Sequence, residues 1–491
     1  MRLAISEGEL ADKLGHWSTG GGPLYSALAD GLEAMISAGN LAPGARLPAE
    51  RRLADALAVS RGTVVAAYDR LRDDDLVRTR HGSGTVVLDG HSPIHSPREA
   101  QVATLLRRNQ LLQGMLMDLG TDGIDLRGAY WVGLDDLPES AFQLDRDTLD
   151  ATGHGYYPAG LPSLRQALST YLTDTFGLPT RHGEVIVTTG AQQGISLIAN
   201  LLLAPGDEVL VEELTYPTAL DDFMTSGARI RWAPIRDRGA DVSAFVAAIR
   251  RHRPRLAYVI PSVQNPTGWT MPDHARRLLV DAARESETIL IDDTSLAETA
   301  FDGAIAAPLH RFDADAPVLT VGSLSKLFWG GLRLGYVRGD EATLARLARL
   351  KASTDIGTPV ASQVIASRLL PQADEIRENR RLERRHRYEV LTGVLRERIP
   401  EWTWAEPDGG LCLWTHMSRG DAAAFVPVAA RHGVGIAPGA VSSTSEAHSD
   451  YLRLPFGHRP DVLTEAAHRL GDAWAEYTAR LDQCGRLSVL V

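Results

Sequence analysis

A single lysine, Lys326, stands in the stretch VGSLSKLFWGGLRLGYV (321–337), flanked by Ser323 and Ser325 and followed at a distance by Arg333. The stretch is otherwise apolar and dotted with glycine, and it contains no acid to pair with the ammonium. A lysine in apolar surroundings loses affinity for its proton, and its neutral amine condenses with aldehydes. Lys326 is therefore a candidate Schiff-base nucleophile. Its place just after the strand-like run VLTVG fits this chemistry, since open α/β sheets bind ligands at the carboxyl ends of their strands.

The common biological aldehyde for such a lysine is pyridoxal phosphate. It requires a phosphate cradle, a partner for the pyridine nitrogen, a donor to the phenolic oxygen and a cover for the ring. The run VTTGAQQG passes from a strand into a helix, so Thr189, Gly190 and Ala191 are candidates for the phosphate, with Arg333 adding charge. Tyr216 in ELTYPTAL is placed to stack on the ring, and Asn265 in PSVQNPTG to donate to its oxygen. ILIDDTSLAE ends an apolar run with Asp292 and Asp293, either of which suits the ring nitrogen. Each feature alone has an ordinary explanation as a helix start, a turn, a packing residue or a cap. Their succession on alternating elements is what points to a shared site.

The elements that must position these residues are legible. The runs EVIVTTG, DEVLVEE, LAYVIPSVQNPTG, TILIDD and VLTVGSLSK alternate with helical stretches, which predicts an α/β domain with a mainly parallel central sheet. A smaller α+β subdomain is expected toward the C-terminus. The first ninety or so residues differ. Leu24, Leu28, Leu32 and Ile36 sit at helical spacing; two further short helices and a glycine hairpin follow, the pattern of a winged helix-turn-helix. Val64, Tyr68 and Leu71 form one stripe of the third helix, leaving Arg61 and Thr63 at its exposed start. A helical protein-interaction module is the competing reading.

The chain of 491 residues is long enough for two or three domains. We place the winged helix-turn-helix at 18–88, a linker rich in His, Ser and Pro at 89–117, the large domain at 118–375 and the small one at 376–491. The net charge of −11 excludes a protein that coats nucleic acid with its whole surface, yet residues 41–85 hold eight arginines against six acids. DNA contact is thus expected to be local. Only Cys412 and Cys484 are present, which leaves no disulfide framework or cysteine-rich metal site and implies a reducing, cytoplasmic setting. The acidic start lacks the apolar core of a signal peptide, and neither a membrane span nor a metal site is expected.

The stretch LPAERRLADALAVSRGTVVAAYDRLRDDDLVRTRHGSGTVV resembles the DNA-binding domain of the GntR family. That resemblance implies DNA contacts at Arg51, Arg61, Thr63, His81 and Gly82. Residues from about 118 to 482 resemble the fold-type I, aspartate-aminotransferase-like pyridoxal phosphate enzymes. By that resemblance Lys326 carries the cofactor, Asn265 donates to its ring oxygen and Tyr216 stacks on it. Arg333 becomes a phosphate ligand, Arg453 in YLRLPFG the clamp for an α-carboxylate, and Asp293 the pyridine partner, with Asp292 the alternative. Tyr156, or its neighbour Tyr157, corresponds to a tyrosine that reaches the partner subunit's phosphate. One departure concerns Ser295 and Leu296, which stand where many of these enzymes have a tyrosine touching the ring oxygen.

A GntR-type domain joined to an aminotransferase-like domain resembles the MocR/GabR regulators. It implies a homodimeric, DNA-binding regulator that senses pyridoxal phosphate or an amine reacting with it, with partial transaminase activity at most. A metabolic aminotransferase with a DNA tether and a cofactor domain kept only as a dimerisation scaffold are the alternatives.

Overall fold

The computed structural model describes residues 7–14, 17, 24–37, 41, 45–57, 59–73, 76–80, 84–87, 122–236, 238–445 and 447–488. The chain divides into two compact units, Met1–Ser96 and Pro97–Val491. The expected linker, 89–117, lies outside the described residues.

The first unit contains the helices Glu7–Leu14, Leu24–Ser37, Glu50–Leu57 and Arg61–Asp73, followed by β1 (Val77–Arg80) and β2 (Gly84–Val87). The two strands pair antiparallel, with Val77 opposite Val87 and Arg80 opposite Gly84. Its core takes Val64, Tyr68 and Leu71, all 0–1% exposed, as the helical stripe predicts. The stripe of the earlier helix needs correcting. Successive i+4 steps drift about 40° around a 3.6-residue helix, so Leu24 turns outward at 47% exposure while Met35 joins Leu28 and Leu32 in the core and Ile36 packs at its edge. The unit also begins before residue 18, because the helix Glu7–Leu14 puts a fully buried Leu10 into the same core.

In the second unit a seven-stranded sheet runs in the order β4-β12-β11-β10-β9-β5-β6. Its strands are β4 (Val185–Thr188), β5 (Glu208–Glu212), β6 (Arg229–Ala233), β9 (Leu256–Val259), β10 (Ile289–Asp293), β11 (Val318–Ser323) and β12 (Gly335–Arg338). A small hairpin of β7 (Ile235–Arg236) and β8 (Gly239–Ala240) lies outside it. All pairings in the sheet are parallel except those of β12, which runs against both β11 and β4. Helices cover the sheet, so β4 and β9 are buried along their whole length and read as unbroken apolar runs rather than as alternation.

A second sheet, in the order β13-β15-β14-β3, joins β13 (Cys412–His416), β15 (Tyr451–Pro455), β14 (Val434–Pro438) and β3 (Ile124–Leu126). It packs on the helices Ala373–Arg398, Ala422–Arg431 and Pro460–Ser488. Two expected boundaries therefore move. β3, expected within the large domain, pairs in parallel with β14 of the smaller layer. The helix Ala373–Arg398 runs straight through the boundary at 375/376: Ile376 enters the large core and Leu391 the small one. Among the described residues no helix is long and apolar enough to cross a membrane.

The turn between the helices Glu50–Leu57 and Arg61–Asp73 is held by Ser60, whose Oγ accepts the Thr63 amide at 3.1 Å as an N-cap. Ser60→Ala is expected to cost the N-terminal unit about 1 kcal/mol, and Ser60→Asp to retain the cap. Urea denaturation followed by circular dichroism checks both; an unchanged midpoint in the alanine variant would contradict the capping role.

Candidate functional site

The ends of the parallel strands and the start of the reversed strand meet at one edge of the large sheet. There they enclose a cavity of about 620 Å³. Into it project Asp293 from the end of β10, Ser323 from the end of β11, and Ser325 and Lys326 just beyond. Asn265 and Tyr216 come from the loops after β9 and β5, and Gly190 and Ala191 from the turn after β4. Because β12 is antiparallel, Arg333 precedes it at this same edge. β15 of the smaller layer turns Leu452 and Leu454 into the core and Arg453 toward the cavity, as strand alternation requires.

The lysine is half-buried, and its Nζ donates to the Ala129 carbonyl at 2.6 Å. Enclosure lowers its pKa to about 8, with the Arg453 guanidinium pushing the same way against the opposing pull of Asp293. Asp293 is held by the Tyr258 hydroxyl at 2.6 Å and the Ser295 amide at 2.9 Å. Burial raises its pKa, opposed by those two bonds and by Lys326. Asp292 points to the other face, accepts the Leu309 amide at 2.7 Å and does not line the cavity. Burial lifts Asp292 to about 6.

Among the described residues, three buried polar atoms of this wall have no partner: Asn265 Oδ1, Ser295 Oγ and Ser325 Oγ. Gly190 adopts φ +101°, closed to other residues, and opens the helix Ala191–Leu202, so its first amides face the cavity beside Arg333. Two unpartnered hydroxyls, an unpartnered amide oxygen, a helix start with an arginine and an amine of lowered pKa fit a phosphorylated aromatic aldehyde. Among the described residues no group of acids, histidines and cysteines is placed to hold a metal.

Thr189 is a correction. Its hydroxyl does not line the cavity; its carbonyl accepts Arg333 Nη2 at 3.1 Å and its amide donates to Gln193 Oε1 at 2.9 Å. Gln192 lines the cavity instead. Tyr156 is 66% exposed and outside the cavity of its own chain, whereas Tyr157 is tied down by its hydroxyl to the Thr152 carbonyl. Sequence reading missed Tyr258, Ala129 and Trp131. Tyr258 carried no sequence signal: it reaches Asp293 because β9 pairs in register with β10, placing Tyr258 opposite Ile291 on the face of Asp293.

On the N-terminal unit, Arg51 is exposed on the helix Glu50–Leu57. Arg61 opens the next helix with its side chain 70% exposed, and its Nη2 lies 3.0 Å from Glu50 Oε2. So exposed a pair is worth little and yields readily to phosphate. Thr63 is half-buried with its hydroxyl 2.8 Å from Ser60 Oγ. His81 and Gly82 lie outside the described residues.

In cofactor-stripped protein, acylation of Lys326 by an amine-selective reagent is expected to rise through pH 8, where half of the amine is neutral, and to level off above it. Below that pH the ammonium is no nucleophile. Mass spectrometry of the peptide against pH reads this; a midpoint near that of free lysine, about 10.4, would remove the argument.

Residues 133–470 match the family aminotransferase class I and II, and residues 24–87 match bacterial regulatory proteins, gntR family. The HTH-type transcriptional regulator TauR of Rhodobacter capsulatus is 30% identical over 350 residues, covering 68% of this chain and 71% of its own. The probable rhizopine catabolism regulatory protein MocR of Rhizobium meliloti is 26% identical over 413 residues, covering 81% and 82% respectively. The crystal structure of LysN, an α-aminoadipate aminotransferase from Thermus thermophilus complexed with N-(5'-phosphopyridoxyl)-L-leucine, is similar with a TM-score of 0.68. It is 26% identical and covers 77% of this chain and 95% of its own. This chain belongs to the aminotransferase class I and II family, whose members use pyridoxal phosphate, and with a gntR-family domain in front of it has the MocR-type arrangement.

Proposed function

We propose that this protein is a pyridoxal phosphate-dependent transcriptional regulator that holds DNA through its N-terminal unit and answers an amine at Lys326. What carries the reading is a single chain with both exposed arginines on a winged helix and a lysine cavity equipped for the cofactor. When bound, the cofactor supplies an aldehyde that condenses with amines and a pyridine ring that withdraws electrons.

The residues of the cavity then have separate tasks. The amides at the start of the helix Ala191–Leu202, with Arg333 and the hydroxyls of Ser323 and Ser325, hold the phosphate. Tyr216 covers the ring, Asn265 donates to its oxygen, and Asp293 keeps a proton on its nitrogen. Arg453 takes the carboxylate of an amino acid. Lys326 has two partners available, the aldehyde and the Ala129 carbonyl at 2.6 Å. With the aldehyde taken by another amine, Lys326 would be left to donate to the Ala129 carbonyl, as it does here. That difference between ligand-bound and ligand-free states is what a regulator needs.

In a homodimer, the exposed Tyr156 is available to the partner's phosphate, and two winged helices are available to paired half-sites. A metabolic aminotransferase is the second reading, favoured by the joint presence of Lys326, Asp293 and Arg453 around one cavity. Against it stands Leu296, which offers the ring oxygen no phenol. Steady turnover of an amino donor with a keto acid would favour the enzyme.

Asp293→Asn is expected to weaken cofactor binding about ten- to a hundredfold, as for a lost charge-assisted bond of ~1.5–3 kcal/mol. Asp292→Asn, on the other face of β10, is expected to do much less. Equilibrium dialysis of the cofactor decides, and a larger effect at Asp292 would reverse the assignment.

DNA reading and sensing separate by mutation. Arg61→Ala is expected to cost about 1–3 kcal/mol of operator affinity, as for a base contact, and to leave the cofactor spectrum unchanged. Lys326→Ala is expected to keep DNA binding, lose the adduct fixed by borohydride and lose the response to amines. Affinity should fall with salt at a slope of about −0.9 per neutralised phosphate. Mobility shifts of both variants on one promoter fragment, with and without amine, read all three. Intact affinity in Arg61→Ala sinks the DNA face, and a ligand response in Lys326→Ala sinks the sensing.

A further inference from the structure

Beside the polar groups, the Lys326 cavity has a wall of another character. Trp131, Leu296 and Leu411 line it at 8%, 9% and 1% exposure and belong to one apolar cluster with Val263 and Ala300 behind them. We propose that the amine answered at this site, on the amine-sensing reading above, is an α-amino acid with a bulky apolar or aromatic side chain, which packs on Trp131, Leu296 and Leu411.

Two further observations support this. The first is that the wall is stiff. The Arg387 guanidinium lies 3.8 Å and that of Arg380 5.1 Å from the Trp131 ring centroid. Neither arginine is free to move. Arg387 donates to Glu383 at 2.8 Å, and Arg380 pairs with Asp136 and donates to the carbonyls of Leu327 and Phe328 at 2.7 and 2.5 Å. The indole is thus a fixed plate bonded through Arg380 to the backbone that follows Lys326. Leu296 extends it, an isobutyl group three residues after Asp293 where a phenol would have offered a polar contact.

The second is the allocation of charge. The cations that line the cavity are Lys326, Arg333, Arg453 and Arg127. The first three are taken by the aldehyde, the phosphate and the α-carboxylate. Arg127 is gripped by Asp125 through Nε at 2.8 Å and Nη2 at 2.9 Å. A second carboxylate on the effector would meet an apolar surface and a cation already neutralised, and burying a charge without a partner is strongly unfavourable. An apolar side chain gains by the same burial.

The full-length, cofactor-loaded protein is titrated with L-phenylalanine, L-leucine, L-alanine and L-glutamate, and its absorption spectrum is followed. Phenylalanine and leucine are expected to reach half-saturation at about tenfold lower concentration than alanine, as burial of a large side chain requires, and well below glutamate. Trp131→Ala should raise the phenylalanine value about tenfold and the alanine value less than about twofold. Leu411→Ala, a smaller deletion, should change the ratio in the same direction, with borohydride fixation verifying that each variant is loaded. Tighter or equal response to glutamate, or an unaltered phenylalanine-to-alanine ratio in both variants, overturns the assignment of the wall while leaving amine sensing in place. A loaded protein whose spectrum answers none of the four overturns amine sensing, and the side-chain preference with it.

Discussion

A methyl group on Gly335 would lie 2.6 Å from the carbonyl carbon of Gly190 and the carbonyl oxygen of Gly322, and 2.7 Å from the amide nitrogen of Ala191. Only hydrogen fits, so the start of β12 lies backbone against backbone on the turn that opens the helix Ala191–Leu202. The rest of the cavity follows from that approach. Because β12 runs against its neighbours, the residues before it emerge where the parallel strands end, and Arg333 arrives beside Gly190. A side chain at Gly190 would in turn stand 3.5 Å from the Arg333 guanidinium. One reversed strand and two glycines thus place an arginine and a set of free amides at one point.

The electrostatic balance of the cavity depends on what the walls neutralise. Asp125 cancels Arg127, and Asp293 faces Lys326, leaving Arg333 and Arg453 as net charge in an otherwise acidic chain. Two separated cations suit two separated anions, a phosphate and a carboxylate. Tyr258 and Ser295 donate to the buried Asp293 and oppose the rise in pKa that burial imposes. The same burial that raises its pKa lowers that of Lys326, so each group is moved toward its neutral form and each restrains the other.

The N-terminal unit solves a different problem with the same economy. Its core is built from stripes on short helices, and Arg51 and Arg61 stand on its surface. Arg61 pairs with Glu50 across the turn between the two helices, an exposed contact that is cheap to break.

Element types, the winged helix, the parallel strands and the place of Lys326 at the end of a sheet strand were legible in the sequence. Helical periodicity, buried apolar runs and turn residues act over short distances and need no knowledge of the remote chain. Tertiary structure alone decided the matters that depend on distant partners. Asp293 rather than Asp292 faces the cavity because β10 pairs in register with β9, whose Tyr258 then reaches it. Thr189 gives its carbonyl to Arg333, which the pairing of β12 beside β4 brings to it from well over a hundred residues on. β3 joins the smaller layer because β14, some three hundred residues on, offers the edge it pairs with. Trp131 has its place between Lys326 and two arginines of the helix Ala373–Arg398, a meeting that no local pattern announces, because burial and pairing between remote segments are properties of the folded chain.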